Sequence, residues 1–440
     1  MISSDIIIIG AGPGGYELAA REAALGKDVV LIERDKAGGT CLNRGCIPTK
    51  VLCRSAEVAE TVREASAFGI DASAPAVDIA TVYARKDAVV DQLRAGVETL
   101  LGKVNRVAGS ASFTRDGKVA VGSEIYSAPR IVIATGSVPA RLGIEGVELT
   151  MTSDDVLSRP ELPESVVIIG GGVIGMEFAS VYASFGAKVT VMEYCKEIIP
   201  PLDSEVAKRL RTAMKRRGVD IVTGAQVTAV KKENDGRLTV NYTEKGKEKA
   251  VSAQWVISAT GRRPAVPDGF TEAGGELDGR GFIKVNDDFA TSIPGVYAIG
   301  DVNGKCMLAH AATAQGLKLS GEDIDLNVIP AAVFTSPECA MVGMTEDACR
   351  EAGLDYAVKK STFRANGKAV ALGMTDGLVK VIVDNESGLI LGAHICGPQA
   401  AVLIQEIATV MAAKLAATAI VRSIHPHPTL NEAVQAAFLL

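Results

Sequence analysis

The chain has no excess of basic residues. Its 46 Lys and Arg stand against 52 Asp and Glu, so the formal net charge of −6 leaves no electrostatic footprint for nucleic acid. It has no run of about 18 apolar residues free of glycine and charge, which removes a membrane-spanning helix from the reading. Neither a basic leader nor a cleavage site precedes the first strand-like run, Asp5-Ile6-Ile7-Ile8-Ile9, so no secretory signal is read and a cytoplasmic location is expected. Eight cysteines in 440 residues form no disulfide scaffold. Histidine is scarcer still, with four, so His310, His394, His425 and His427 are the only candidates for acid–base work that needs an unperturbed group near neutrality. What is abundant is hydrophobic residue, 48% of the chain, enough for several cores and about two to four domains.

Two of the cysteines share the run Gly38-Gly39-Thr40-Cys41-Leu42-Asn43-Arg44-Gly45-Cys46-Ile47-Pro48-Thr49-Lys50. Residues five apart on a regular helix have Cα atoms about 8.6 Å apart. A disulfide tolerates only about 7 Å. A bridge between Cys41 and Cys46 therefore requires a bent backbone, for which Gly45 supplies local freedom. Strain of that kind makes a disulfide exchangeable, so the expected chemistry is catalytic. A zinc site at this pair would need two further ligands close by, and none has suitable spacing, so no metal is expected.

The run follows a βα unit that occurs twice. Gly10, Gly12 and Gly15 follow the strand Ile6-Ile7-Ile8-Ile9 and open a helix, and the next strand ends in Glu33. Displaced by 160 positions, Gly170, Gly172 and Gly175 follow Val166-Val167-Ile168-Ile169, and the next strand ends in Glu193. Two such units imply two dinucleotide sites, with glycines that let the backbone approach a pyrophosphate at a helix N-terminus and a carboxylate for a ribose diol. Glu193 repels a 2′-phosphate, and Tyr194 and Cys195 offer no arginine to receive one, so NAD is expected over NADP; Lys196 is the one nearby cation.

Residues 55–102 read as surface helices, and the stretch from Val104 to Ile133 reads as short strands with turns at Asp116-Gly117 and Gly122-Ser123. Ala134-Thr135-Gly136 and Ala259-Thr260-Gly261 end apolar strands and look like crossings between domains. A further strand ends in Gly300-Asp301, where the aspartate either binds a ligand hydroxyl or caps a helix. Beyond Pro330, strand-like runs 378–383 and 389–395 precede a long amphipathic helix from about Ala400 to Leu415. Cys53 is expected on the face of the Cys46 helix; Cys195, Cys306, Cys339, Cys349 and Cys396 read as isolated core residues.

The GGTCLNRGCIPTK run, the doubled dinucleotide unit, the Ala298-Ile299-Gly300-Asp301 strand end and the tail His425-Pro426-His427-Pro428-Thr429-Leu430-Asn431-Glu432 together resemble the pyridine nucleotide–disulfide oxidoreductases over essentially the full chain. Gly14-Gly15-Tyr16 and Met307-Leu308-Ala309-His310 resemble the lipoamide branch of that family. The resemblance implies an α/β fold with two Rossmann-like domains, for FAD and NAD, and a C-terminal α+β interface domain that forms a homodimer. The boundaries it suggests are 1–147 for the first part of the FAD domain, 148–262 for the NAD domain, 263–330 for the return to the FAD domain and 331–440 for the interface domain.

The resemblance also implies roles. Cys46 is the sulfur facing the flavin and Cys41 the one that exchanges with substrate. Lys50 pairs with Glu177 near the flavin. His427 is the acid–base group, acting on the disulfide of the other subunit, and Glu432 orients it; Thr429-x-x-Glu432 also spells a capping box, and a carboxylate with two oxygens can serve both ends. Gly10, Gly12, Gly15, Glu33, Thr40, Lys50, Thr135, Gly136, Gly300, Asp301 and Ala309 belong to the FAD site. Gly170, Gly172, Gly175, Glu193 and Gly261 belong to the NAD site. The implied reaction is oxidation of dihydrolipoamide on a carrier protein of a 2-oxoacid, acetoin or glycine-cleavage complex, because Asp35-Lys36-Ala37 has the letters of a lipoyl turn but lies in the FAD loop. A glutathione-type reductase would favour arginines in place of Glu193. A mercuric or large thioredoxin reductase would need a redox pair near the C-terminus, and Ala436-Ala437-Phe438-Leu439-Leu440 has none. A non-catalytic flavoprotein scaffold is the reading from another class.

Overall fold

The structure is a computed structural model that describes residues 1–439, and the chain divides into two compact units. One gathers Met1–Val51, Thr81–Ala140 and Gly261–Leu326; the other gathers Leu52–Ala80, Arg141–Thr260 and the chain from Asn327 on. The crossings at 140/141 and 260/261 lie just after the two Ala-Thr-Gly turns, where Ser137–Pro139 pairs antiparallel with Arg262–Pro264.

The first unit is built on a parallel sheet of five strands in the order Val296–Ala298, Arg130–Ile133, Ile6–Ile9, Val29–Glu33, Asn105–Ala108. Its central strand is all isoleucine because a parallel strand covered on both faces has no polar side, and each of the four residues is buried. The short strands expected between Val104 and Ile133 are present. Ala111–Phe113, Val119–Val121 and Glu124–Ser127 form a small sheet with Ile2–Ser3, and Phe113 packs edge-on to Phe270 at 5.7 Å.

The second unit repeats the plan. Val219–Thr223, Lys188–Glu193, Ser165–Ile169 and Trp255–Ser258 form a parallel sheet in that order, and helix Val173–Ser184 matches helix Pro13–Ala24 residue for residue at the 160-position offset. An antiparallel meander, Ala225–Lys232, Leu238–Glu244 and Lys247–Ala253, is added between the third and fourth strands. Nothing in the pattern of turns had marked it as separate.

The same unit also holds an antiparallel sheet in the order Ala331–Val333, Glu338–Gly343, Ile390–Gly397, Leu378–Asp384, Tyr356–Thr362. Helix Ala400–Ala412 lies against it, with Ala400, Leu403, Ile404, Ile407 and Ala408 buried at the spacing of one helical face. The expected surface helices are Cys46–Arg63 and Ile79–Leu100; the latter buries only Tyr83, Lys86 and Val90. Among the described residues no helix is long and apolar enough to cross a membrane.

Two buried features of this sheet bear on the functional residues. Cys339 and Cys396, read from the sequence as isolated, stand opposite each other on neighbouring strands and interact through their side chains. Both are free thiols, and burial, more than the partner sulfur, pushes the Cys339 thiol far up, which leaves it inert. Pairing across strands is a matter of register over 57 residues, which no local pattern announces.

The second feature is an ion cluster. Lys380 Nζ, 2% exposed, lies 2.9 and 3.0 Å from the two Asp203 carboxylate oxygens and 2.6 Å from Glu346. His394, opposite Lys380 in the register and fully buried, has Nε2 3.1 Å from the Met344 carbonyl and accepts at Nδ1 from the Asp203 N–H. That ring is sealed from substrate, so one of the four histidines is structural.

Burial pushes the His394 imidazole below its ordinary value, so the folded chain resists a proton that the unfolded chain accepts. Its contribution to stability is present above the unfolded value of about 6.5 and is lost as pH falls through the depressed folded value. We expect the urea midpoint to decline from about pH 6.5 downward. A His394→Gln variant should be weaker at neutral pH but lack that limb; parallel curves for both proteins would contradict the assignment.

Candidate active site

The redox run folds as two helices with a break. Gly39–Arg44 ends at Gly45, whose φ of −145° and ψ of −108° leave the helical region, and Cys46–Arg63 begins at once. A Cβ at Gly45 would lie 2.9 Å from the Thr40 carbonyl oxygen, so the residue must be glycine for the turn to close this tightly. The bend expected between the cysteines is there. Cys41 and Cys46 are half-buried free thiols joined by a side-chain hydrogen bond.

That bond, together with burial and the charge of Cys46, pushes the Cys41 thiol far above its ordinary range, against the opposing pull of the Lys50 ammonium. Lys50, one turn into the second helix, is within electrostatic reach of the Cys41 sulfur. Tyr16, on helix Pro13–Ala24, also senses Cys41; burial first, and then the charge of Glu17, push its phenol up to about 12, so it stays protonated.

The loop is tied to the first glycine turn. Gly38 donates to the Ala11 carbonyl at 2.8 Å, and a Cβ on Gly39, at φ +58°, would come within 2.6 Å of Gly12 Cα. Asn43 donates to the Ala37 and Gly39 carbonyls, each at 3.0 Å, and accepts from Arg94 Nε at 2.9 Å. Sequence reasoning gave Asn43 no part; its place inside the cysteine run was the available signal.

The two glycine turns agree atom for atom. A Cβ at Gly15 would lie 1.9 Å from the Gly10 carbonyl, and one at Gly175 would lie 2.0 Å from the Gly170 carbonyl. Helix Pro13–Ala24 starts at Gly12 and helix Val173–Ser184 at Gly172, neither with a side-chain cap, and there is open space where a Cβ of either glycine would sit. Glu33 accepts from the Ala11 N–H at 2.6 Å and the Asp35 N–H at 2.8 Å. Glu193 accepts from Gly171 N–H and Cys195 N–H, both at 2.6 Å. The uncapped N–H groups make each helix start an anion site, as a pyrophosphate requires.

Beside the first turn, the buried hydroxyl of Thr135 has no hydrogen-bond partner, and Gly136 and Gly261 both have positive φ with open space beyond. Asp301 sits in the short turn Gly300–Asn303, where Ile299 and not the aspartate occupies the capping position. Its carboxylate accepts from Ser137 Oγ at 2.5 Å, and Arg262 holds Ser137 from the other side with two bonds of 2.7 Å. The capping alternative fails, and the aspartate is oriented by residues that the sequence had not marked. Ala309 opens helix Ala309–Leu319, again without a side-chain cap. An uncapped helix start, an orphaned hydroxyl and a fixed carboxylate suit the polar chain and ring edge of a flavin dinucleotide.

The tail places His427 Nδ1 2.9 Å from Glu432 Oε1, while Glu432 Oε2 accepts from the Thr429 N–H at 2.8 Å. One oxygen serves the imidazole and the other the backbone, as the two-oxygen argument expected, although the Thr429 hydroxyl turns to the Pro426 carbonyl instead. The Thr429 N–H first, and His427 second, hold the Glu432 carboxyl below its ordinary value. The His427 side chain is 78% exposed. Glu177, 3% exposed, accepts from the Phe334 N–H at 3.0 Å. Among the described residues no cluster of His, Cys, Asp and Glu could hold a metal ion.

The pyridine nucleotide-disulphide oxidoreductase family matches residues 4–316, and its dimerisation domain matches residues 329–438. The chain belongs to this family. As a pyridine nucleotide-disulphide oxidoreductase it uses FAD and NAD as cofactors. It is 40% identical to a dihydrolipoyl dehydrogenase of Haloferax volcanii, over 99% of this chain and 95% of that one. It is 38% identical to a dihydrolipoyl dehydrogenase of Geobacillus stearothermophilus, over 99% of this chain and 96% of that one. Among solved structures, a Cu(II) complex of the HOCl-induced flavoprotein disulfide reductase RclA from Escherichia coli superposes with a TM-score of 0.88 at 29% identity, covering 100% of this chain and 99% of that one.

The matched glycine turns of this oxidoreductase generate an asymmetric expectation. Gly175→Ala should leave the purified protein yellow and raise KM for NADH by about tenfold or more, whereas Gly15→Ala should yield protein with little bound flavin. Steady-state kinetics and an absorbance spectrum of each variant check this, and equal behaviour of the two would contradict the assignment of the sites.

Proposed function

We propose that this chain is a dihydrolipoamide dehydrogenase, which oxidises dihydrolipoamide on a lipoyl-bearing carrier protein through Cys41 and Cys46 and passes the electrons to NAD. The relatives named dihydrolipoyl dehydrogenase, matched over nearly their whole length, support the substrate class. The observation that carries the chemistry is the side-chain hydrogen bond between Cys41 and Cys46 across the backbone break at Gly45. A substrate thiol that attacks this pair must lose its proton to a base, and an imidazole backed by a carboxylate is present in His427 and Glu432. In this reading 1–147 and 263–330 hold FAD, 148–262 hold NAD, and 331–440 form the interface of a homodimer.

Residue by residue, the oxidised state has a Cys41–Cys46 disulfide. One substrate thiol, deprotonated by His427, attacks Cys41 and forms a mixed disulfide as the bond to Cys46 breaks and Cys46 leaves as thiolate. The second substrate thiol displaces Cys41, which closes the lipoyl ring and leaves the dithiol state described above. Glu432 stays anionic and supports the imidazolium form of His427 during transfer. Bound FAD supplies the two-electron relay between the dithiol and NAD. Lys50, paired with Glu177, keeps positive charge by the Cys46 thiolate. Gly10, Gly12, Gly15, Glu33, Thr40, Thr135, Gly136, Gly300, Asp301 and Ala309 hold FAD, and Gly170, Gly172, Gly175, Glu193 and Gly261 hold NAD. The carrier belongs to one of the 2-oxoacid, acetoin or glycine-cleavage systems.

With NADH as donor, lipoamide should be reduced far faster than glutathione disulfide, and NADPH should be a poor substitute because a carboxylate at Glu193 would repel a 2′-phosphate. A preference for glutathione disulfide would overturn the reading. Cys46→Ser should retain FAD but lose lipoamide turnover, and His427→Gln should lower kcat by roughly 10²–10⁴-fold, measured as dihydrolipoamide-dependent NADH formation.

A further inference from the structure

The second imidazole of the tail has a built environment of its own. His425, whose side chain is 6% exposed, places Nε2 2.8 Å from Glu406 Oε1 and Nδ1 3.0 Å from the Ser423 carbonyl. Glu406 comes from helix Ala400–Ala412, and its other oxygen accepts from Asn431 Nδ2 at 2.9 Å. Asn431 is the first residue of the C-terminal helix and the neighbour of Glu432. Gln435, one turn further, donates to the Ser423 carbonyl at 2.8 Å. Both ring nitrogens thus face acceptors, and the ring is fixed between the Glu406 carboxylate and the Ser423 carbonyl. The charged groups around it are Glu406 from one helix and Glu432 from the other.

This arrangement grips the segment that bears His427 at both ends. The N-terminal end is held by His425, two positions before His427. The C-terminal end is held by Asn431, one position before Glu432. Both grips close on the single carboxylate of Glu406. Between them Asn366 donates to the Thr429 carbonyl at 2.9 Å.

We infer that His425, Glu406 and Asn431 form a positioning clamp for the proposed acid–base pair, with His425 acting through His427 and not on substrate. The inference rests on the proposed role of His427. A proton-transfer group held by a highly exposed imidazole gains its rate from orientation, and displacement by about 1 Å costs up to a hundredfold. The clamp therefore sets kcat for thiol chemistry while leaving substrate binding alone.

The test uses the homodimeric holoenzyme, assayed for dihydrolipoamide oxidation by NAD and, separately, for NADH oxidation by ferricyanide, which does not pass through the thiols. His425→Ala and Glu406→Ala should each lower kcat with dihydrolipoamide about ten- to a hundredfold. KM and the ferricyanide rate should stay within about twofold. The double variant should be no worse than Glu406→Ala alone, because that substitution already opens both grips. His425→Gln, which can still donate to Glu406, should recover part of the loss. An unimpaired His425→Ala enzyme, or one in which KM and the ferricyanide rate fall together with kcat, overturns the clamp. His427→Gln measured in parallel separates the two failures. Full turnover there overturns the acid–base reading and the clamp with it, whereas an inactive His427→Gln beside a normal His425→Ala overturns the clamp alone.

Discussion

Everything in the redox centre depends on the break in the backbone at Gly45. An unbroken helix would hold the two sulfur-bearing residues beyond disulfide reach, and any side chain at 45 would press on the Thr40 carbonyl. The same stretch is bonded to the first glycine turn through Gly38 and Ala11 and braced by Asn43 and Arg94. The turn suited to a pyrophosphate and the turn that joins two thiols are thus one mechanical piece. The tie between them runs through the main chain, from the Gly38 N–H to the Ala11 carbonyl.

Proton control is divided in a complementary way. At Cys41 the hydrogen bond to Cys46 retains a proton; at Glu432 the Thr429 amide and the imidazole keep a carboxylate bare. The buried Lys380, Asp203 and Glu346 cluster and the sealed His394 play no part in that control. They fix helix Ser204–Arg216, which Asp203 caps, to the sheet strand Leu378–Asp384 that carries Lys380.

What could be read from the amino-acid sequence was local. Gly10, Gly15, Gly170 and Gly175 are dictated by main-chain atoms a few residues away, and Glu33 and Glu193 end strands whose length is set by the same unit, so their spacing is visible in the letters. The bend between Cys41 and Cys46 follows from helix geometry alone. Less was legible where partners come from distant strands. Ser137 and Arg262 meet at Asp301 only because two crossing segments pair; Cys339 meets Cys396 through register; Glu406 reaches His425 only once a helix has docked on its sheet. Each of these pairings depends on tertiary placement, which periodicity does not carry. The Asp301 question, ligand or cap, was undecidable by sequence because both uses put the same residue at the same strand end.

The near-identity of the two glycine turns also records how one scaffold acquired two trades. Both copies tie the following loop back to the turn by one amide: Gly38 to Ala11 in the first and, one position later in the repeat, Ile199 to Gly171 in the second. Where the first copy has the Gly38-Gly39 doublet, the second has Ile198 and Ile199, both fully buried, with Ile199 at the left-handed φ of +46° matching Gly39 at +58°. The ancestral loop conformation outlived its sequence. What differs is the bulk at those two positions: a glycine doublet ahead of the cysteine-bearing helix in one copy, and a pair of buried isoleucines in the other.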